Sequence, residues 1–227
     1  MKSFLSKAIL NNIDWCRIVS ESHGAIAASA DSVWGLYSKA PDFYPEIISF
    51  CRDADLAEVN DFIKKGHVSS MKDSYADLNL SPLGFEILFE AEWIYQEPAA
   101  HRVALQSGWK VIATEHDLQK WTLTNGLENV IKPGLLKNKD VKIFMHETND
   151  EISGFIANRS HDVVGISNVL SPKTADGRIW GEIPGLAAAE FPGLPMAGYE
   201  HDDDLIQAQL SGWKSLGPVR IWLKSDR

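Results

Sequence analysis

Residues 141–171, VKIFMHETNDEISGFIANRSHDVVGISNVLS, decide the fold. Three segments rich in branched side chains, VKIFMHE, EISGFIANRS and VVGISNVLS, are separated by TND and RSHD, whose Asn, Asp and Ser favour turns. Short branched segments joined by tight turns read as a three-stranded antiparallel meander. Upstream, WKVIAT (109–114) reads as a strand, and Thr114 followed by Glu115 and Asp117 opens a helix carrying Leu118, Trp121 and Leu123. Downstream, Trp180 to Phe191 reads as a short helix weakened by Pro184 and Gly185, and LPMAGYE (194–200) as a strand. DDDLIQAQLSG (202–212) is then a helix whose acidic first turn suits its dipole, and PVRIWLK (218–224) a last strand. The order for this half is strand, helix, three strands, helix, strand, helix, strand.

The other half is punctuated differently. An amphipathic stretch runs to about Val19, followed by HGAIAASADSVWGLYSKAPDFYPEII, which reads as short strands and loops. DADLAEVNDFIKKG places Leu56, Val59 and Phe62 or Ile63 at helical spacing between Asp53 and Gly66. GFEILFEAEWIY alternates, with Phe85, Ile87, Phe89, Ala91 and Trp93 on the face expected inside and Glu86, Glu90 and Glu92 outside. The punctuation between Glu97 and Gly108 sets a soft boundary: an N-terminal α/β half or cap over 1–105, and a second domain over 106–227. Ser107-Gly108-Trp109-Lys110 recurs as Ser211-Gly212-Trp213-Lys214. A partial duplication would produce this, and so would chance, because Gly commonly ends a helix before a strand.

Composition narrows the classes of function. The chain has 227 residues, 44% hydrophobic and 23% charged, and a net charge of −9. That supports a folded core and argues against nucleic acid as a partner, since neither a net positive field nor a Lys/Arg cluster is evident. No apolar run approaches a bilayer span, and no membrane partner is expected. Near the start the longest apolar run is Ala8, Ile9 and Leu10, shorter than a secretory signal requires, so a cytoplasmic location is expected. Cys16 and Cys51 form neither a disulfide framework nor a zinc ribbon. His201 with Asp202, Asp203 and Asp204, and His146-Glu147, lack metal-ligand spacing, and no metal is expected. Ser160, His161 and Asp162 are neighbours whose side chains point apart, a turn and not a triad.

Within this frame the meander resembles the central antiparallel strands of the GNAT-type N-acetyltransferases, through IFMHETNDEISGFIANRSHDVVGISNVLS. WKVIATEHDLQKW is similar to their opening strand and helix, and LIQAQLSGWKSLGPVRIWL to their closing helix and strands, so that residues 108–227 are covered. More narrowly, the whole chain resembles a bacterial GNAT-like group through APDFYPEII, MKDSYADLNL, GFEILFEAEWI, GFIANRSHDVVGISNV, FPGLPMAGYEHDDDL and GWKSLGPVRIWL. The resemblance implies an α/β (α+β) fold: a mixed, largely antiparallel sheet flanked by helices. It also implies transfer of an acyl group, most simply acetyl from acetyl-CoA, to an amine on a small molecule or peptide. Two departures matter. The superfamily's Gly-rich signature, which opens a helix whose amides bind the coenzyme A pyrophosphate, is replaced by SPKTADGRIWGEIPGLAAAEF, and Ile206–Ser211 lacks the Tyr that acts on the leaving thiolate. A binding or regulatory module that keeps the sheet without catalysis is therefore the alternative, and a structural or interaction protein a third.

Candidate site residues follow from the strands and the resemblance together. Asn158, Ser160, Ser167 and Asn168 are polar groups set into apolar strands; they need partners, and either orient an amide-bearing substrate or form a structural network. Val169 and Leu170 lie where the resemblance places the coenzyme, with Lys173 and Arg178 able to hold its phosphates or simply to be solvated. An amine must lose a proton before attacking a thioester, and Glu200 is the candidate base with Tyr199 beside it; Glu200 could equally begin the acidic helix start. Trp34, Phe43, Tyr44, Tyr75 and Trp93 could line an apolar pocket or form a plain core.

Overall fold

The structure is a computed structural model that describes residues 3–99, 108–149, 151–172 and 177–225. It falls into two compact units, Met1–Trp93 with Leu216–Arg227, and Ile94–Ser215. The boundary expected at 105/106 lies outside the described residues.

The first unit begins with helix α1 (Phe4–Ser22), capped by the Ser3 hydroxyl accepting from the Ser6 N–H at 3.2 Å. Ile9, Ile13, Cys16 and Val19 recur at the helical period and form its buried stripe. Six strands follow in spatial order β1-β2-β3-β4-β11-β5: β1 (Ala27–Ser29), β2 (Val33–Leu36), β3 (Ile47–Ser49), β4 (Ser70–Asp73), β5 (Phe85–Gln96) and β11 (Lys214–Lys224). β3 and β4 are parallel, and the crossover between them carries α2 (Leu56–Lys65), started by Asp55 accepting from Ala57 N–H at 2.8 Å. Val33, Ile47, Met71 and Trp222 pack with Val59 and Phe62 of α2. Trp34, Ile48, Lys72 and Ile221 are in register and face the other way. Here Lys72 donates to the Asn12 carbonyl of α1 at 2.6 Å.

The face expectation for β5 fails in part. Ile87 is 47% exposed, and Leu88 on the opposite face is 56% exposed, whereas Phe85, Ala91 and Trp93 are buried as expected. Alternation tells which residues share a face, but not whether an element covers that face along its length. Of the aromatics, Trp34, Tyr44 and Trp93 are core, but Phe43 is 79% exposed at a left-handed φ of 69°.

The second unit has strand order β10-β9-β8-β7-β6: β6 (Trp109–Val111), β7 (Val141–Thr148), β8 (Glu151–Ser160), β9 (Val163–Leu170) and β10 (Met196–Glu200). β6 to β9 are antiparallel, with β9 and β10 parallel. The β8–β9 hairpin turns through His161 and Asp162 at φ of 52° and 58°, the two left-handed residues that match strand twist. Helix α3 (Glu115–Asn125) is capped by Thr114 and lies between β6 and β7; α4 (Ile179–Glu190) makes the β9–β10 crossover; α5 (Asp202–Leu210) follows β10. Phe144, Phe155, Ala157, Val164, Ile166 and Met196 pack under Trp180, Ile183, Leu186 and Ala187 of α4. The element order expected for this half is present throughout, and each unit is a mixed, largely antiparallel sheet with helices.

Both SGWK tetrapeptides serve this unit. Gly108 and Gly212 adopt φ of 89° and 92°, which only glycine reaches easily, and each is followed by a buried Trp. The Trp109 indole donates to Glu182 at 2.9 Å and the Trp213 indole to the Trp180 carbonyl at 3.0 Å. That carbonyl is the one Pro184, four residues on and lacking an N–H, leaves unpaired within α4. A strand entry that anchors α4 is thus a local reason for the recurrence.

Candidate active site at the parting of β9 and β10

β9 and β10 pair only at Met196↔Val164 and Ala197↔Gly165, with Val164 N–H donating to the Pro195 carbonyl at 2.9 Å. Their register ends there, and Ile166–Leu170 and Gly198–Glu200 continue the two strands beyond it. A bulge parts the strands here, and a glycine lets them stay close up to it. On the other edge of β9, Ile156 is opposite Ser167 but Gly154 is opposite Leu170, so β9 carries one residue more than β8 over this stretch. The extra residue is a bulge, and Asn168 takes the left-handed φ of 51° that Asn tolerates better than branched residues do. At Gly198 a Cβ would meet the Ile166 carbonyl oxygen at 2.9 Å, so glycine lets the backbones stay close up to the point where they separate.

The hydroxyls of Ser167 and Ser171, one before the bulge and one just past the end of β9, are buried without a hydrogen-bond partner among the described residues. Buried orphans of this kind are rare in folded proteins, and each marks a place where a ligand group could bond. Strand edges beyond the last register pair fit a ligand that carries amides of its own.

Glu200 ends β10, and part of its side chain reaches solvent. Burial, assisted by the charge of Asp204, pushes its carboxyl up to about 8. Asp204 in the first turn of α5 in turn accepts from the Trp180 indole at 3.4 Å. Asp204 thus shapes the surroundings of Glu200, a role the sequence did not mark, where Asp204 read as part of an acidic helix start. His201 precedes α5 with no side-chain cap and contacts Asp202 at 2.8 Å.

The strand parity divides the other candidates. Asn158, Ser160, Ser167 and Tyr199 share one face, through Asn158↔Gly165, Ser160↔Val163 and Gly165↔Ala197, whereas Glu200 shares the opposite face with Met196, beneath α4. Asn158 is buried, Tyr199 and Ser160 half-buried, and Val169 and Leu170 half-buried at the end of β9. Arg178 is exposed at the start of α4, and Lys173 lies outside the described residues. Trp180 and Gly181 N–H groups already bond to the Gly177 and Arg178 carbonyls at 3.1 and 3.0 Å, so neither is free to capture an anion at that helix start.

No family model matches the chain, and no curated protein matches it. Among solved structures, a protein from Novosphingobium aromaticivorans assigned to the GNAT family is similar over 96% of this chain and 99% of that one, at 12% identity and a TM-score of 0.60. A functionally unknown conserved protein from Staphylococcus epidermidis is similar over 84% and 83%, at 11% identity and a TM-score of 0.56. Likeness at such identities is a likeness of architecture, and the chain has a GNAT-like fold.

Proposed function

We propose that the chain is an acyl-CoA-dependent N-acyltransferase that moves an acyl group, most simply acetyl, to an amine of a small molecule or peptide. The observation that carries this reading is the parting of β9 and β10 at a bulge, with a buried, unpartnered Ser167 hydroxyl beside it. Val169, Leu170 and the free edge of β10 would hold the amide-bearing arm of the coenzyme, and Arg178 with Lys173 its phosphates. Bound there, acyl-CoA supplies an activated carbonyl whose leaving thiol, with a pKa of ~8.5, needs little help from an acid. This suits a last helix without a Tyr. Glu200 takes the acceptor's proton, through water, and a carboxyl near 8 is well matched to that task. Of the polar residues expected to orient the acceptor, Asn168 at the bulge keeps that role; Asn158, Ser160, Ser167 and Tyr199 share the face opposite Glu200, so they do not hold an amine against that carboxylate.

A second reading has its own support. Two α4 amides are spent within the helix start, which favours a module that binds a CoA-like ligand weakly or senses a metabolite without catalysis. Thermal unfolding with acetyl-CoA and with CoA separates the cases. A ligand at about 100 times its Kd stabilises the native state by about 2.7 kcal/mol, and the proposal expects a saturable rise in Tm. Acetylation of a panel of amines, abolished in Glu200→Gln, would complete it. Binding without turnover supports the second reading, and no shift at millimolar ligand overturns the transferase and leaves the non-catalytic module as the better reading.

A further inference from the structure

In the first unit, Lys39, His67 and Lys224 come from three separate segments of the chain to line one surface cavity of about 340 Å³, with Gly66, Val68 and Ser69 completing its wall. The chain as a whole is acidic, at −9. The two lysines at one hollow repel each other, a cost that an anion between them would remove. Neither His67 nor Lys224 has an ion-pair partner among the described residues, and Lys39 has only a long contact of 4.0 Å to Asp42, with both side chains more than 70% exposed.

The backbone under these residues is fixed. Glu46, 2% exposed, accepts from the Ala40 N–H at 3.2 Å, next to Lys39. It also accepts from the Ser69 N–H at 3.2 Å and the Ser70 N–H at 2.8 Å, and from both serine hydroxyls. The Lys224 N–H donates to the Ser69 carbonyl at 2.7 Å. One buried carboxylate and one strand bond therefore hold all three basic segments in mutual register. Its oxygens are occupied by these donors, which leaves the cations to set the sign of the cavity. A fixed backbone beneath the two lysines lowers the ordering that binding requires.

We infer that this cavity is a binding site for a phosphate-bearing small molecule, distinct from the parting of β9 and β10. The compact, multiply charged phosphoryl group can meet both lysines and a ring N–H of His67 at once, which a single carboxylate does less well.

The test is titration calorimetry of the full chain with pyrophosphate and with inorganic phosphate, against chloride at matched ionic strength. Saturable binding of pyrophosphate is expected, weakened about tenfold or more in each of Lys39→Ala and Lys224→Ala, and falling as salt rises. Both side chains are exposed, so circular dichroism should show the variants folded. Lys139→Ala, which removes an exposed lysine of the second unit, should leave this binding unchanged. No saturable heat at about 10 mM, equal affinity in the lysine variants at 39 and 224, or loss in Lys139→Ala would each overturn the inference.

Discussion

Glu200 makes two predictions that can fail separately. With its carboxyl near 8, about a tenth is ionised at pH 7, so kcat/KM for an amine already neutral should rise about tenfold per pH unit and level off near pH 8. Glu200→Gln should remove that limb and lower the rate at pH 8 about a hundredfold or more; a fall with the limb intact would make another group the base. The stability prediction needs no substrate. The folded pKa is raised, so between about pH 4.5 and 8 the folded state holds a proton the unfolded chain has lost, and stability falls as pH rises through that window. Glu200→Gln lacks this penalty. Its Tm should match the parent's near pH 4.5 and exceed it increasingly up to pH 8, and a constant difference would mean that the carboxyl is not buried in this way. The residue was legible in the sequence as a carboxylate ending a strand, but its environment was not. Asp204 reaches it from the first turn of α5.

At the scale of elements, α4 is held by an exchange of partners. Trp213 supplies the N–H that Pro184 withholds from the Trp180 carbonyl, so Trp213→Phe should cost about 1–3 kcal/mol in unfolding free energy. In a Pro184→Ala background, where a helical N–H is restored, the cost should shrink, and denaturant titration of the four proteins measures the difference. Additive costs would deny the exchange. The bulge in β9 predicts that Asn168→Val, forcing a branched residue to a φ of 51°, destabilises by about 1–3 kcal/mol and abolishes the acetyl-CoA shift in Tm. Asn168→Gly should preserve both. The meander was legible because branched runs and Asn/Asp/Ser turns are local signals. The bulge was not, since VVGISNVL reads as one continuous strand, and only the register against β8 shows the extra residue. Ile87 was misplaced for a related reason: its alternation is local, but the cover it lacks belongs to other elements.

Across the whole molecule, the two units are not consecutive in the chain. β11 comes after everything in the second unit, and Leu216 onwards belongs to the first, between β4 and β5. The alternating pattern of PVRIWLK announced a strand, but not the neighbours it would pair with, because pairing across more than a hundred residues leaves no local mark. Truncation after Ser215 should therefore leave β4 without its four-residue register from Arg220↔Asp73 to Leu223↔Ser70. Limited proteolysis should then cut within residues 4–93 while 108–215 stay protected; equal protection of both would show that β11 is dispensable. The same arrangement orders events during synthesis. As the polypeptide leaves the ribosome, residues 4–93 must wait, their central gap unfilled and two strand edges open to chance partners, until residues 216–224 arrive.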